Sequence, residues 1–291
     1  MRVRAYAKIN LMLDILGKTE DGYHDLFMIM QSIGIYDDVT VELSGRPNTV
    51  SITCSDENIP TDKKNIAHKA AKAFMQKLDK KPCPGVKIHI EKNIPHAAGL
   101  AGGSADAAAV LYALNILTEA NFVTEELCDI GVKIGADVPF CLKGGTMAAF
   151  DIGQVLAPLP PIEDKYIVLV KPDQSVSTKA AYDAYDTAGY LRHCDQRGMI
   201  HALANRDYDK AYRLIKNIFE QFVEVPDRVD IKAIMLAHNA KAACMSGSGP
   251  SVYAIFENEI PARACAAELE KRYKNVFVIK PIRYGLEIVE N

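Results

Sequence analysis

The stretch Ile94-Pro95-His96-Ala97-Ala98-Gly99-Leu100-Ala101-Gly102-Gly103-Ser104-Ala105-Asp106-Ala107-Ala108-Ala109 constrains this chain more than any other. Its second half is Ala-rich and predicts a helix reaching Leu117. Its first half holds Gly99, Gly102 and Gly103, which let the backbone take positive φ and let main-chain N–H groups approach a ligand with no Cβ in the way. A helix start adds unpaired N–H donors and partial positive charge. Such a segment is either an anion site suited to a di- or triphosphate, or a tight turn whose small residues let helices pack closely. Ser104 either caps the helix or offers its hydroxyl to a phosphate or metal ion.

Two familiar phosphate motifs are excluded. No Gly-x-Gly-x-x-Gly occurs, and Gly17-Lys18-Thr19 lacks the glycine a P-loop needs at position 12, where Met12 stands. The 291 residues carry 34 Lys plus Arg against 37 Asp plus Glu, a formal charge of −3. That argues against a protein that coats nucleic acid, while leaving room for a local basic site. No apolar run approaches the roughly 18 residues of a membrane span. Charged residues interrupt the N-terminal Met1-Arg2-Val3-Arg4-Ala5-Tyr6-Ala7-Lys8, unlike a secretory signal. The seven cysteines are odd in number and form no Cys-x-x-Cys pair, which points to reduced thiols and a cytoplasmic protein. The histidines show no metal-binding spacing, so no metal ligand is assigned, and His193-Cys194 receives no role.

Residues 2–15 alternate apolar and polar, which predicts a strand with one buried face, and the turn Gly17-Lys-Thr-Glu-Asp-Gly22 follows. Further strands are expected near 25–33, 38–43, 49–54 and 85–91, with helices over 65–79 and 124–134. The proline-rich Ala157-Pro-Leu-Pro-Pro161 divides the chain into domains 1–157 and 158–291. Beyond it, a strand at 166–170, helices near 178–186, 208–221, 228–238 and 262–273, and strands near 251–256, 276–280 and 284–289 are expected. Strands and helices without strict alternation indicate an α+β fold.

Lys8 falls on the polar face of the first strand beside Tyr6 and Asn10, where a lysine is ordinarily just solvated. Asp137 sits in Gly135-Ala-Asp-Val-Pro139, where a capping or turn role is the bland reading. Gly247-Ser-Gly-Pro-Ser251 is a second Gly turn. Together, two Gly-rich loops, one strand lysine and one turn-held aspartate are the parts that phosphoryl transfer needs. There, positioning and charge neutralisation dominate and a carboxylate takes the hydroxyl proton.

The loop Pro95–Ala108 resembles the phosphate loop of the GHMP kinases. Ala5–Leu11, Gly17–Asp25, Gly135–Cys141 and Met245–Ser251 further resemble the members of that family that act on 4-diphosphocytidyl-2-C-methyl-D-erythritol (CDP-methylerythritol). The blocks run in family order over nearly the whole chain. The resemblance implies a two-domain α+β fold, with an N-terminal ribosomal S5 domain 2-like part and a C-terminal ferredoxin-like domain. It implies ATP with Mg²⁺, the ion held largely by ATP oxygens and water. Pro95, Ala97, Ala98, Gly99, Leu100, Ala101, Gly102, Gly103, Ser104 and Ala105 would hold the triphosphate, and Gly247 and Gly249 would close the site.

By the same resemblance Asp137 is the general base, with Lys8 beside it, and Asn10 contacts substrate. Tyr23, His24 and Tyr182 form the cytidine pocket; an aromatic ring stacks on the base and a histidine reads its edge. The partner is the small molecule alone, bound by a monomer or homodimer. Ala101 and Ala105 depart from the Gly and Ser that many members carry. Three rivals share part of this evidence. A GHMP kinase for another alcohol would not need Tyr23-His24. A non-catalytic nucleotide binder would not need Lys8 and Asp137. An S5-like interaction protein would need neither.

Overall fold

The computed structural model describes residues 1–20, 22–78 and 83–290. The chain first forms β1 (Arg2–Lys18), β2 (His24–Ser44), β3 (Val50–Cys54), α1 (Ile66–Lys77), β4 (Gly85–Glu91), α2 (Gly102–Leu117), α3 (Thr124–Gly131), α4 (Val138–Lys143), β5 (Thr146–Asp151) and β6 (Val155–Pro158). It continues with β7 (Tyr166–Lys171), α5 (Thr178–Thr187), α6 (Gln196–Ala204), α7 (Tyr208–Leu214), β8 (Lys216–Asn217), a 3₁₀ turn at Ile218–Gln221, α8 (Arg228–Ala237), β9 (Ala242–Met245), β10 (Val252–Phe256), α9 (Glu259–Leu269), β11 (Asn275–Ile279) and β12 (Leu286–Glu290).

Two sheets organise these elements into the α+β fold. The first runs β12-β1-β2-β4-β3, with β5 and β6 continuing from β2 and β8 lying parallel on β1. The second runs β11-β7-β10-β9, with α8 and α9 packed on it. The proline segment begins in the last residues of β6 and runs into the link to β7, where the chain passes from one sheet to the other. The last strand returns to pair with β1, so the two halves are laced together at both ends.

Strand β1 is covered on both faces, not one. Every residue from Ala5 to Ile15 is buried, including the polar Lys8, Asn10 and Asp14. Helix α2 packs against β1 and β2, while residues of the second half close over the strand's polar side. The strands expected at 25–33 and 38–43 are one strand of 21 residues, bent where its register with β1 slips opposite Tyr6 and Ala7. Gly34 sits in that bend. Its N–H donates to the Lys280 carbonyl at 2.9 Å, and an added Cβ would lie 3.4 Å from the same oxygen, so the glycine marks a close chain approach.

The helix expected over 208–221 stops at Leu214, because the next residues pair with β1 and bring Ile218 and Phe219 into the core. Periodicity also missed α4, α6 and β9, all short. No helix among the described residues is long and apolar enough to cross a membrane.

Candidate active site

A cavity of about 570 Å³ lies where the Gly-rich loop, the polar side of β1, the start of α4 and residues of the second half meet. The loop owes its shape to left-handed residues: Ala97 at φ 49°, Gly99 at 74° and Ala101 at 59°. Helix α2 starts directly after Ala101, with no side-chain cap. Its first intrahelical bond here is Ala105 N–H to Ala101 O at 2.9 Å, so the N–H groups of Gly102, Gly103 and Ser104 have no partner within the helix. Pro95, Ala97, Ala98, Gly99, Leu100, Ala101, Gly102, Gly103 and Ser104 all line the cavity. Ser104 is the third residue of the helix, not its cap, and its Oγ faces Gly135. Ala105 departs from expectation: it is fully buried in the core, turned away from the cavity by helical geometry.

Lys8 and Asp137 meet across this cavity, Nζ to Oδ2 at 3.6 Å. Lys8 is only 4 % exposed, so its ammonium must be compensated. Asp137 supplies one partner and Asn10 the other, with Lys8 Nζ donating to Asn10 Oδ1 at 2.7 Å. Asp137 immediately precedes α4, and its carboxylate makes no capping bond, leaving it directed at Lys8 and the cavity. Asn10 does not line the cavity. It is fully buried, and its Oδ1 accepts both the Lys8 ammonium and, at 3.1 Å, the Gly247 N–H.

The second Gly turn seats on the first. Ser246 Oγ donates to the Gly99 carbonyl at 3.0 Å, and a Cβ on Gly99 would collide with the Ser246 carbonyl. Gly247 and Ser248 reach the cavity; Gly249 packs behind them against Met245. Asn217 Nδ2 holds the turn by donating to the carbonyls of Met245 and Gly247, each at 2.8 Å.

At another edge of the cavity Tyr182 lines the wall; His24 does not line it but stacks on Tyr182, with ring centroids 4.7 Å apart and planes at 25°. Burial, with the nearby Asp137 charge, pushes the Tyr182 phenol up to about 12, so the ring stays neutral beside any phosphate. Tyr23 is not brought into this wall; it is 63 % exposed, at the tip of the β1–β2 turn. Asp186, not singled out in the sequence, contacts His24 Nε2 at 2.8 Å and Lys18 Nζ at 2.6 Å. Those two hydrogen bonds hold its carboxyl below the usual range.

Sequence reasoning also missed a buried ionic cluster under the start of α2. Lys92 Nζ lies 2.5 Å from Asp37 Oδ2 and 2.9 Å from Asp106 Oδ2, and both Lys92 and Asp106 line the cavity. Asp37 also accepts the N–H groups of Asn93 and Ile94. Asp106 Oδ1 is buried without a partner, and burial, with Asp37 close by, drives the Asp106 carboxyl well up. A charged residue in the otherwise apolar Ala105–Val110 run was the available signal. Asn65 caps α1 through Ala67 N and also lines the cavity.

Residues 65–145 match the family description "GHMP kinases N terminal domain" and residues 199–275 match "GHMP kinases C terminal". A 4-diphosphocytidyl-2-C-methyl-D-erythritol kinase of Clostridium acetobutylicum is 44% identical over 286 residues, covering 97% of this chain and 100% of that protein. The chain belongs to this family of GHMP kinases. The protein of the same name from Clostridium perfringens is 43% identical, covering 97% of this chain and 98% of its own.

A crystal structure of 4-(cytidine 5′-diphospho)-2C-methyl-D-erythritol kinase superposes with a TM-score of 0.78 at 29% identity, covering 97% of this chain and 99% of its own. An L. major mevalonate kinase, at 16% identity and TM-score 0.72 over 97% of this chain and 96% of that one, shares the fold. The α+β GHMP kinase fold expected from sequence is thus the one observed, and the chain is an ATP-dependent small-molecule kinase.

Proposed function

We propose that this enzyme transfers the γ-phosphoryl group of ATP to the 2-hydroxyl of CDP-methylerythritol, giving the 2-phosphate and ADP, and so serves isoprenoid precursor synthesis. The observation that carries the reading is the Lys8–Asp137 pair, 3.6 Å apart, in the same cavity as the uncapped start of α2. The N–H groups of Gly102, Gly103 and Ser104, with the partial positive charge of the helix start, receive the phosphates. Asp137 accepts the hydroxyl proton as the new O–P bond forms and the bond to the bridging β–γ oxygen breaks, releasing ADP. Lys8 steadies the incoming oxygen as its charge develops. Asn10 acts through Lys8.

Mg²⁺ fits beside the Ser104 hydroxyl, which lines this end. Bound to ATP oxygens and water, it would supply charge neutralisation at the phosphates. His24 and Tyr182 take the cytosine, and cysteines held in no disulfide fit a cytoplasmic enzyme.

A coupled ADP-release assay comparing acceptors tests the reading. CDP-methylerythritol is expected to support turnover at a kcat/KM orders of magnitude above mevalonate or homoserine. Equal or better turnover with either of those would assign the chain to another small alcohol.

A further inference from the structure

We propose that Asn217 is a positioning residue for phosphoryl transfer: it aims Lys8 from the other half of the chain, through the Gly247 N–H and Asn10. This role rests on the reading that Lys8 and Asp137 act at the acceptor hydroxyl. Asn217 itself does not line the cavity. It is 1 % exposed, and the parallel pairing of β8 with β1 sets it opposite Leu13.

Both hydrogens of its amide are committed, to the carbonyls of Met245 and Gly247 at 2.8 Å each, and its Oδ1 accepts the Phe219 N–H at 3.0 Å. The two gripped carbonyls belong to the peptide units on either side of the Ser246–Gly247 peptide. The N–H of that middle unit is the one that donates to Asn10 Oδ1, at 3.1 Å. Gly247 stands at φ 58°, a conformation its own sterics do little to enforce. The clamp from Asn217 supplies the constraint that a missing Cβ does not.

The amide of Asn10 has a donor end and an acceptor end. The Gly247 N–H needs an acceptor, so it turns Oδ1 inward, and the same oxygen takes Lys8 Nζ at 2.7 Å. Asn10 Nδ2 is left to the Met28 sulfur at 3.3 Å. A reversed amide would set its NH₂ against both the Gly247 N–H and the ammonium. Three consecutive hydrogen bonds thus run from Asn217 to the ammonium that lies 3.6 Å from Asp137.

The other end of the turn has its own holds. The Met245 N–H donates to Glu220 Oε1 at 2.8 Å, the Ser246 N–H to the Ser251 carbonyl at 2.9 Å, and Ser246 Oγ to the Gly99 carbonyl at 3.0 Å. Loss of the Asn217 clamp therefore loosens Gly247 while the phosphate loop keeps its seat. The effect belongs in the rate of transfer, where a small misplacement is felt most, and not in ATP binding.

Two variants separate the clamp from the local fold. Asn217→Ser keeps an oxygen for the Phe219 N–H, as a capping serine does, but is too short to reach both carbonyls. Asn217→Asp keeps the shape and that oxygen but, ionised, has no hydrogen for either carbonyl. Each is assayed with ATP and CDP-methylerythritol well below its own melting temperature, in the wild-type and the Lys8→Met backgrounds. In the wild-type background kcat should fall about tenfold or more, with the calorimetric Kd for ATP within about threefold.

In the Lys8→Met background the same substitution should lower kcat by less than about threefold, because the group it acts through is gone. Equal falls in the two backgrounds would make Asn217 a residue of the fold alone and overturn the proposal, as would unchanged kcat in a folded variant. A failure of both variants to fold would do the same. A loss carried by weaker ATP binding would place Asn217 with the nucleotide loop instead. Wild-type kcat in Lys8→Met itself would remove the reading of Lys8 on which this role stands.

Discussion

Lys8 shows how a single residue changes meaning with burial. On an exposed strand face a lysine is a solvated charge; at 4 % exposure, held between Asn10 and Asp137, it is a fixed ammonium beside a carboxylate. Lys8→Met keeps the stem and removes the charge, so its effect is electrostatic. In steady-state assays it should lower kcat by about 10²–10³, the scale for one preorganised charge contact, with a smaller change in the KM for ATP. A fall in ATP affinity with kcat intact would instead make Lys8 a nucleotide ligand.

Strand alternation and the Gly-Ala-Asp-Val-Pro turn singled out Lys8 and Asp137 with bland readings, and only the family resemblance gave them roles. Their proximity was not legible, because about 130 residues of chain separate them and only the tertiary fold closes that gap. Tyr23 shows the reverse: its aromatic ring drew attention in sequence, yet the turn carries it into solvent.

At the scale of the element, the start of α2 joins two demands. Its backbone must leave N–H groups open, which the left-handed Ala101 achieves by turning the chain straight into the helix. Its interior must pack closely, which the alanines achieve. Asp106 sits where these demands meet. Buried with Asp37 and Lys92, it gives a cluster of two carboxylates and one ammonium.

A carboxyl raised in the folded state binds its proton more tightly there than when unfolded. The wild type therefore loses stability as pH climbs above the ordinary carboxylate value toward the raised one. Asp106→Asn has no such proton to lose. Its Tm relative to wild type should rise as melts move from pH 4 to pH 8; a relative Tm that falls over that range would contradict the assignment. The Gly-rich loop and the helix after it were readable from composition. The ion cluster was not, since Asp37 lies within β2 and Lys92 just past the end of β4, with no local signature at either.

Across the whole molecule, the site exists only because the second half returns to the first. Strands β8 and β12 both pair with β1, and the Ser246–Gly249 turn seats on Gly99. Alternation along β1 predicted one buried face, and the second was invisible because its cover comes from residues more than 200 positions away. This docking brings Asn10, Gly247 and Asn217 into one hydrogen-bonded seam behind Lys8.

On the proposed reading the arrangement serves one event, removal of a hydroxyl proton beside a held triphosphate. Asp137→Asn tests it most directly, since it keeps the shape and removes the base. In single-turnover measurements with ATP and CDP-methylerythritol, the rate should fall by about 10²–10⁴, while ATP binding by calorimetry stays within about threefold of wild type. An Asp137→Asn enzyme that turns over at the wild-type rate would contradict the account at its centre.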